Sequence, residues 1–273
     1  MRDITEVITV FNELDILEAH LEEHKGLAER TIIVESDRST SGLPKPLYFS
    51  ESKDRFKRFN IESAVMPGEL FERIDRTNEN QYATFRRNDD VRRRWNHTQL
   101  NIDTTWVLNS DVDEILDHSR YDEWLPLLDE DYQAFAFWID EYMAQVNCRN
   151  HKRWSVYRLK RADLDPAIMF SVKKLRRQAL FQVDGEIDTV GWHFTNCQTT
   201  AQGMREKAQT RPWYYDVDKP EDLPGLEFFE RRLGKQLNFI PEEESPIPKW
   251  FKEPLSNLPK WMVENIHKFP VIE

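Results

Sequence analysis

Near the N-terminus the chain alternates between runs of β-branched residues and apolar residues at helical spacing. Residues 7–11 form a short apolar run that is mostly β-branched. Leu14, Leu17 and Leu21 follow at helical spacing, and residues 31–34 form a second β-branched run. Strand, helix and strand in so short a span indicate a βαβ unit, whose two strands are parallel and joined by a right-handed crossover. The pattern therefore predicts an α/β first half.

Later segments continue this pattern as far as about residue 140. We predict a loop at 36–46, strands at 61–66, 106–109 and 134–139, a long helix with one buried face at 78–101, and a short helix at 119–128. Beyond residue 140 the pattern loosens, and a Pro-rich tail from residue 212 carries aromatic residues that we expect to pack over the sheet. Because there is no clear linker, residues 1–273 are predicted to form a single domain.

Two carboxylates, Asp111 and Asp113, follow the predicted strand at 106–109. Open α/β sheets bind their ligands at the carboxyl ends of strands. An Asp-x-Asp pair there can hold a hard divalent ion, and the ion can hold a diphosphate, which suggests an enzyme of nucleotide sugars. A solvated turn in an acidic chain gives the same pattern, so the pair alone leaves both interpretations open.

The charge balance argues against a nucleic-acid partner. The chain has 49 acidic and 38 basic residues and a net charge of -11, which opposes the long-range attraction that binders of nucleic acids or anionic membranes use. Arg86, Arg87 and residues 92–94 form a local basic cluster. The cluster is either a phosphate site or a solvated helix face paired with Asp89 and Asp90.

Cysteine spacing and hydropathy exclude several other classes. Cys148 and Cys197 show no zinc or Cys-x-x-Cys spacing, so neither a zinc site nor a disulfide framework is expected. No segment approaches the roughly 18 apolar residues of a membrane span, and the N-terminus enters a strand directly. We therefore expect a cytoplasmic chain.

Several segments, in the same order along the chain, resemble glycosyltransferase family 17. They are FNELDILE at 11–18, VESDRSTSGLPKPLYF at 34–49, DVDEI at 111–115, GWHF at 191–194 with Cys197 beyond it, and a weaker match at 258–265. The best-known members are β-1,4-mannosyl-glycoprotein 4-β-N-acetylglucosaminyltransferases. The resemblance implies a GT-A fold, a Rossmann-like α/β domain with a mostly parallel central sheet flanked by helices. Its first part, about 1–140, would bind the nucleotide sugar, and about 141–273 would form the acceptor side and the C-terminal tail.

The resemblance also implies a metal site. Asp111 and Asp113 are the expected ligands of Mn²⁺ or Mg²⁺, with Asp113 binding the ion directly and Asp111 also able to reach the ribose or a metal-bound water. His193 either completes the metal shell, as a C-terminal histidine does in many GT-A enzymes, or is a hydrogen-bonded core residue.

Two positions at strand ends are expected to contact the nucleoside. Asn12 and Glu13 lie where a GT-A fold meets the base and ribose, although Asn12 can instead cap the first helix and Glu13 complement its dipole. Glu35, which ends the second strand, is expected to contact the uridine.

Candidates for the phosphate contacts lie on the loop at 36–46 and the helix at 78–101. Arg87 and Asn88 resemble a string in bacterial relatives, and Arg87 is expected to bind the diphosphate or the donor sugar; Arg86 stands where those relatives have Gln. Lys45 is either a surface lysine or a loop contact to phosphate.

Family members are thought to invert the anomeric centre, which requires a carboxylate to deprotonate the acceptor. Asp188 is the first choice for this base and Glu186 the second, with Asp140 and Glu141 as further candidates; each can also be a solvated acid.

Together these features predict a metal-dependent inverting glycosyltransferase that transfers a sugar, GlcNAc first among them, from a UDP-sugar to a glycan. The short chain suggests a microbial or viral enzyme. Two alternatives stay open: a non-catalytic glycan-binding protein with a structural cation, and a nucleotide-sugar hydrolase or nucleotidyltransferase. No Gly-rich phosphate loop supports the second alternative.

Overall fold

The computed structural model describes residues 3–74, 81–129, 134–164, 189–210, 227 and 250–271. The strands are β1 (Ile4–Thr9), β2 (Arg30–Ser36), β3 (Glu62–Met66), β4 (Trp106–Asp111), β5 (Glu114–Leu116), β6 (Ala134–Met143), β7 (Cys148–Arg161), β8 (Gly191–Thr195) and β9 (Trp250–Lys252). The α-helices are α1 (Leu14–Glu23), α2 (Tyr48–Glu51), α3 (Gln81–Gln99), α4 (Tyr121–Trp124), α5 (Ala201–Thr210) and α6 (Lys260–Glu264).

One sheet runs through these strands in the order β3-β2-β1-β4-β7-β6-β8-β5, with β9 paired to β7. The four strands from β3 to β4 are parallel, which confirms the predicted βαβ start. The predicted α/β class is confirmed, but the sheet is mostly parallel only in this half.

In the second half β7 is antiparallel to β4, β6 and β9, while β8 is parallel to β6 and antiparallel to β5. The short connection between β6 and β7 imposes part of this change, because closely connected neighbouring strands pair antiparallel.

Helix α1 packs on the sheet through the leucines that predicted it. Leu17 and Leu21 are buried with Ile8, Ile33 and Phe49 in one core cluster. The predicted long helix is confirmed as α3, but the residues that it buries fully are Asn88 and Asn96, while its apolar residues Val91 and Trp95 are only partly buried. The predicted helix at 119–128 is a single α-turn followed by a 3-10 turn at Leu125–Asp129.

The C-terminal segment also packs on the sheet, as predicted for the aromatic tail. Leu258, Met262 and Phe269 are buried against Ile16 and Trp192. The tail from residue 212 to 249 lies outside the described residues, apart from residue 227. Among the helices that the structure describes, none is long and apolar enough to cross a bilayer.

Candidate functional site

A cavity of about 610 Å³ opens where the parallel strands β1, β2 and β4 end. The last residue of each strand, Thr9, Ser36 and Asp111, lies in its wall. This is the edge at which open α/β sheets bind ligands. Acidic and basic side chains both line the cavity. The acidic residues are Glu13, Glu35, Asp89, Asp111, Asp113, Glu114 and Glu141. The basic residues are Arg38, Lys45, Arg86, Arg92, Arg93, His193 and Lys207.

Asp113 lies in the tight turn between β4 and β5 and is buried. Its Oδ2 accepts a hydrogen bond of 2.9 Å from the Lys207 ammonium, and its Oδ1 lies 3.9 Å from Nε2 of His193. Burial alone would raise the pKa of Asp113, but Lys207 and His193 together lower it. The carboxylate is therefore ionised and ready to bind a cation.

His193 reaches Asp113 because β5 and β8 pair antiparallel, with Glu114 opposite His193. The backbone N–H of Phe194 also donates to the Asp113 carbonyl at 2.7 Å. The Thr195 hydroxyl lies 3.2 Å from the His193 ring nitrogens. His193 is buried and hydrogen-bonded, and it also lines the cavity, so its role as a metal ligand stays a prediction.

Lys207 is the site residue that the sequence analysis missed. It lies on α5, is buried, and its ammonium pairs with Glu13 as well as with Asp113. The sequence carries one weak signal, because Lys207 follows Met204 at helical spacing and so belongs to the apolar face of α5. A lysine on such a face is buried only when acids meet it there.

Asp111 is half-buried and pairs with arginines of α3. Its Oδ1 accepts from Arg92 at 2.9 Å, and its Oδ2 lies 4.0 Å from Arg93. Asp89 bonds both arginines in turn, and although its burial raises the pKa of Asp89, these two cations lower it to about 2. The basic cluster is therefore partly a cavity wall and partly a paired helix face.

Glu35, at the end of β2, is placed in the cavity wall but its carboxylate already has partners. It accepts hydrogen bonds from the backbone N–H of Phe49 and Ser50 at 3.1 and 2.8 Å, and from the Ser50 hydroxyl. These bonds satisfy N–H groups at the start of α2.

Asn12 does not cap α1, contrary to the alternative raised from the sequence. Glu13 holds the N-cap position and makes no side-chain capping bond. The Asn12 amide instead donates to the Gly203 carbonyl at 3.2 Å and to Glu206 at 3.1 Å, which joins the end of β1 to α5. Asn12 is absent from the cavity wall, whereas Glu13 lines it.

Lys45 lines the cavity with its ammonium 5.4 Å from the ring centroids of both Phe11 and Tyr48. Burial lowers the pKa of Lys45, partly offset by Glu35 and Glu13. This placement favours the loop contact over the surface lysine.

Arg87 and Asn88 are not brought to the cavity. Arg87 is exposed and pairs with Glu72 at 3.0 Å. Asn88 is buried, and its amide holds the Thr40 and Glu72 carbonyls. Arg86, one position earlier, lines the cavity instead, because adjacent residues on a helix point about 100° apart.

Asp188 and Glu186, the predicted catalytic bases, lie outside the described residues. Of the two further candidates, Glu141 lines the cavity and accepts from the Asn150 amide at 2.7 Å. Asp140 lies outside the cavity wall and pairs with Arg149 at 2.9 Å.

Asp113 and His193 are close enough to share a divalent ion after a small side-chain movement. Neighbouring ligands of an octahedral ion with bonds of about 2.1 Å lie roughly 3.0 Å apart. Asp113 Oδ1 and His193 Nε2 are 3.9 Å apart, so the two atoms would have to approach each other by about 1 Å. Lys207 bonds the other carboxylate oxygen, so it does not compete for Oδ1.

Residues 1–143 match the sequence profile of Glycosyltransferase family 17. The match covers more than half of the chain, which therefore belongs to glycosyltransferase family 17 and is a glycosyltransferase. Its fold is the predicted GT-A-type α/β fold, with the parallel strands β3-β2-β1-β4 carrying the cavity. Among curated proteins, none matches the chain.

Several solved structures are distantly similar. The bifunctional IspDF of Campylobacter jejuni has 9% identity and a TM-score of 0.37, over 69% of this chain and 52% of that one. The TarS 1-349 structure of S. aureus has 7% identity and a TM-score of 0.37, over 77% and 65%. Core-mannan synthase A of Aspergillus fumigatus, in its Mn/GDP form, has 12% identity and a TM-score of 0.34, over 54% and 44%.

This chain spans less than two thirds of each of these three proteins. At such low similarity, neither their substrates nor their metals are transferred to it.

Proposed function

We propose that this glycosyltransferase is a metal-dependent, inverting enzyme that transfers a sugar, GlcNAc as first candidate, from a UDP-sugar to a glycan acceptor. One observation carries the proposal. Asp113, kept ionised by Lys207, directs its second oxygen toward His193 in a cavity at the carboxyl ends of the parallel strands.

Mn²⁺ or Mg²⁺ would be held by Asp113 and His193, with Asp111 near enough to contact a metal-bound water or the ribose. A divalent ion supplies charge neutralisation to the diphosphate and so eases its departure as the leaving group. Carboxylate ligands suit both ions, and an imidazole ligand would favour Mn²⁺ over Mg²⁺, because Mg²⁺ prefers oxygen ligands throughout.

The cations of the wall would bind the remaining phosphate charge. Arg92 and Arg93 lie beside Asp111, and Arg38, Lys45 and Arg86 are further cations of the wall. Glu35 and Glu13 would lie toward the nucleoside, and Lys207 keeps Asp113 oriented through Oδ2.

In an inverting transfer the acceptor oxygen attacks the anomeric carbon as UDP leaves, and a carboxylate takes the acceptor proton. Asp188 and Glu186 remain the predicted bases. Among the described residues, Glu141 is the candidate whose position supports this role, since it lines the cavity beside His193.

The test is a panel of UDP- and GDP-sugars incubated with glycan acceptors, in Mn²⁺ or in EDTA, with nucleotide release and glycan product both measured. The proposal expects Mn²⁺-dependent UDP release with an inverted product, and at least a 100-fold loss in Asp113→Asn, as for other groups that stabilise developing charge. Asp163→Asn, the same change at an exposed carboxylate outside the cavity, should behave as wild type.

Other outcomes separate the alternatives. Transfer in EDTA at the Mn²⁺ rate would contradict metal dependence. Release of UDP and free sugar with no product from any acceptor would favour the hydrolase, and glycan binding without release would favour the binding protein.

A further inference from the structure

Behind the turn that carries Asp113 lies a buried triad of Glu6, His20 and His24. Glu6 is on β1, His20 is on α1, and His24 directly follows α1; each is at most 5% exposed. Both rings approach the same oxygen, Glu6 Oε1, at 2.9 Å from His20 Nε2 and 2.6 Å from His24 Nδ1. The proposed transfer reaction uses none of these residues directly.

The partners of the rings fix where their protons lie. The backbone N–H of Leu116 donates to His24 Nε2 at 2.8 Å, so that nitrogen has no proton and Nδ1–H donates to Glu6. His20 Nδ1 lies 3.0 Å from the Val112 carbonyl oxygen, which can only accept, so Nδ1 carries a proton.

A second proton is then required between His20 Nε2 and Glu6. Burial alone would raise the pKa of Glu6, but the two histidines lower it to about 2. Glu6 is therefore a carboxylate that accepts a hydrogen bond from each ring, at 2.9 Å from His20 Nε2 and 2.6 Å from His24 Nδ1. This buried pair is a charge-assisted bond, stronger than a neutral one.

The same three groups lie close enough together to suggest a metal cluster, since their ligand atoms all fall within 4.8 Å. The hydrogen bonds argue against one. His24 Nδ1 cannot bind a metal while it carries its proton, and separations of 2.6 and 2.9 Å are hydrogen-bond lengths. Ligands around a tetrahedral ion with bonds of about 2.0 Å lie roughly 3.3 Å apart.

The rings of both histidines also form hydrogen bonds with the backbone on either side of Asp113. The Val112 carbonyl belongs to the peptide bond that leads into Asp113, and Leu116 ends β5, the strand that follows. On the opposite side, the Val112 N–H donates to Thr9 at 3.1 Å. Val112 is thus bonded through both of its backbone polar groups.

We propose that His20, held by Glu6, is a positioning residue that fixes the Val112–Asp113 peptide and so aims the Asp113 carboxylate at the metal and diphosphate. This proposal rests on the proposed function for its effect on the ligand, but the bond itself exists whatever the substrate is. His20 does not touch the reacting atoms and acts only through the turn.

Two substitutions at one position separate positioning from packing. An asparagine amide reaches the place of the imidazole Nδ1, and a glutamine amide reaches the place of Nε2. His20→Asn can therefore still donate to Val112, whereas His20→Gln can donate only to Glu6. Both variants lose the imidazole ring, so each controls for the other.

For both variants we would measure thermal stability, the affinity for UDP with Mn²⁺, and hydrogen exchange of the amides of residues 112–116. In His20→Gln the affinity should fall about 10-fold or more, the usual effect of losing an outer-shell partner, and the amides should exchange faster. His20→Asn, at similar thermal stability, should keep the affinity within about 3-fold of wild type.

Equal affinity and equal exchange in the two variants would overturn the proposal, because a packing role does not distinguish them. If wild type binds no UDP with Mn²⁺, the proposed function fails, and the exchange comparison alone still decides the positioning.

If neither variant folds, the ¹⁵N shifts of the wild-type histidines at pH 7.5 decide. They should show a proton on Nδ1 of His20, hydrogen-bonded to Val112, and His24 as the Nδ1–H form. A His20 Nδ1 without a proton would overturn the proposal, because it could not donate to the Val112 carbonyl.

Discussion

The charged side chains at the centre of the cavity form ion pairs with one another. Lys207 joins Glu13, the N-cap residue of α1, to Asp113 in the turn between β4 and β5, and all three are buried. Lys207 lowers the pKa of Asp113 against the effect of burial, and loss of any one of the three groups would leave a buried charge without its partner. The proposed metal ligand Asp113 therefore depends on Lys207 for its orientation.

Lys207→Met should destabilise the metal-free protein by about 3–5 kcal/mol, because it leaves two buried carboxylates without their shared cation. Urea denaturation at neutral pH measures the change. Lys260→Met is the matched control, since the Lys260 side chain is 88% exposed and its ammonium lies 3.9 Å from Glu264. It should change the free energy of unfolding by less than about 1 kcal/mol. A Lys207→Met variant as stable as Lys260→Met would contradict the ion-pair description.

Acid should destabilise the protein through His24. Burial lowers the pKa of His24 from its ordinary value of 6.5, although Glu6 opposes the shift. Between the lowered pKa and 6.5 the unfolded chain binds more protons than the folded one, so stability falls as the pH drops below 6.5. One such group contributes up to about 1.4 kcal/mol per pH unit.

Denaturant midpoints measured from pH 7.5 down to pH 5 test this dependence. His24→Asn can keep a donor to Glu6 but cannot titrate, so its stability should fall less steeply over that range. An unchanged slope in this variant would assign the acid sensitivity to other groups.

At the scale of elements, the pairing of β5 with β8 determines where His193 lies. Gly191 opposes Leu116 in this pair, and the strands approach so closely that an added Cβ would lie 2.1 Å from the Ile115 carbonyl oxygen. The glycine of the Gly-Trp-His-Phe motif therefore permits the approach that brings His193 to Asp113.

In Gly191→Ala the added methyl group would overlap backbone atoms, and this overpacking cannot be relieved by side-chain motion. The substitution should therefore separate β8 from β5, lower the free energy of unfolding by about 1–3 kcal/mol and reduce the affinity for Mn²⁺. Thermal unfolding and metal titration measure both effects. Gly203→Ala on α5 is the control, because its Cβ would meet side-chain atoms at 3.0 and 3.1 Å. Equal effects of the two substitutions would show that the β5 and β8 approach is not what matters.

The elements also show which parts of the site a sequence can predict. The β-branched runs predicted β1 and β2, and the motif at 111–115 predicted the acidic turn, because these signals are local. The role of Lys207 could not be predicted, because its acidic partners lie 94 and 194 positions away in the chain. The resemblance pointed to Arg87, whereas Arg86 lines the cavity. Adjacent side chains on a helix point in different directions, so a shift of one position in the alignment selects a residue that faces away from the cavity.

At the scale of the whole molecule, the protein carries a net charge of -11 yet is proposed to bind an anionic donor. The long-range field therefore opposes a diphosphate, and binding has to come from the local cations of the cavity wall together with a metal ion. Arg92 and Arg93 are themselves bonded to Asp89, which leaves the metal as the largest new positive charge.

Calorimetric titration of UDP into the protein, in Mn²⁺ and in EDTA, tests this account most directly. We predict that Mn²⁺ strengthens UDP binding at least about 10-fold in wild type, and that Asp113→Asn abolishes the difference while remaining folded. UDP binding that is equally strong in Mn²⁺ and EDTA, or equally metal-dependent in Asp113→Asn, would contradict the assignment of Asp113 to the metal.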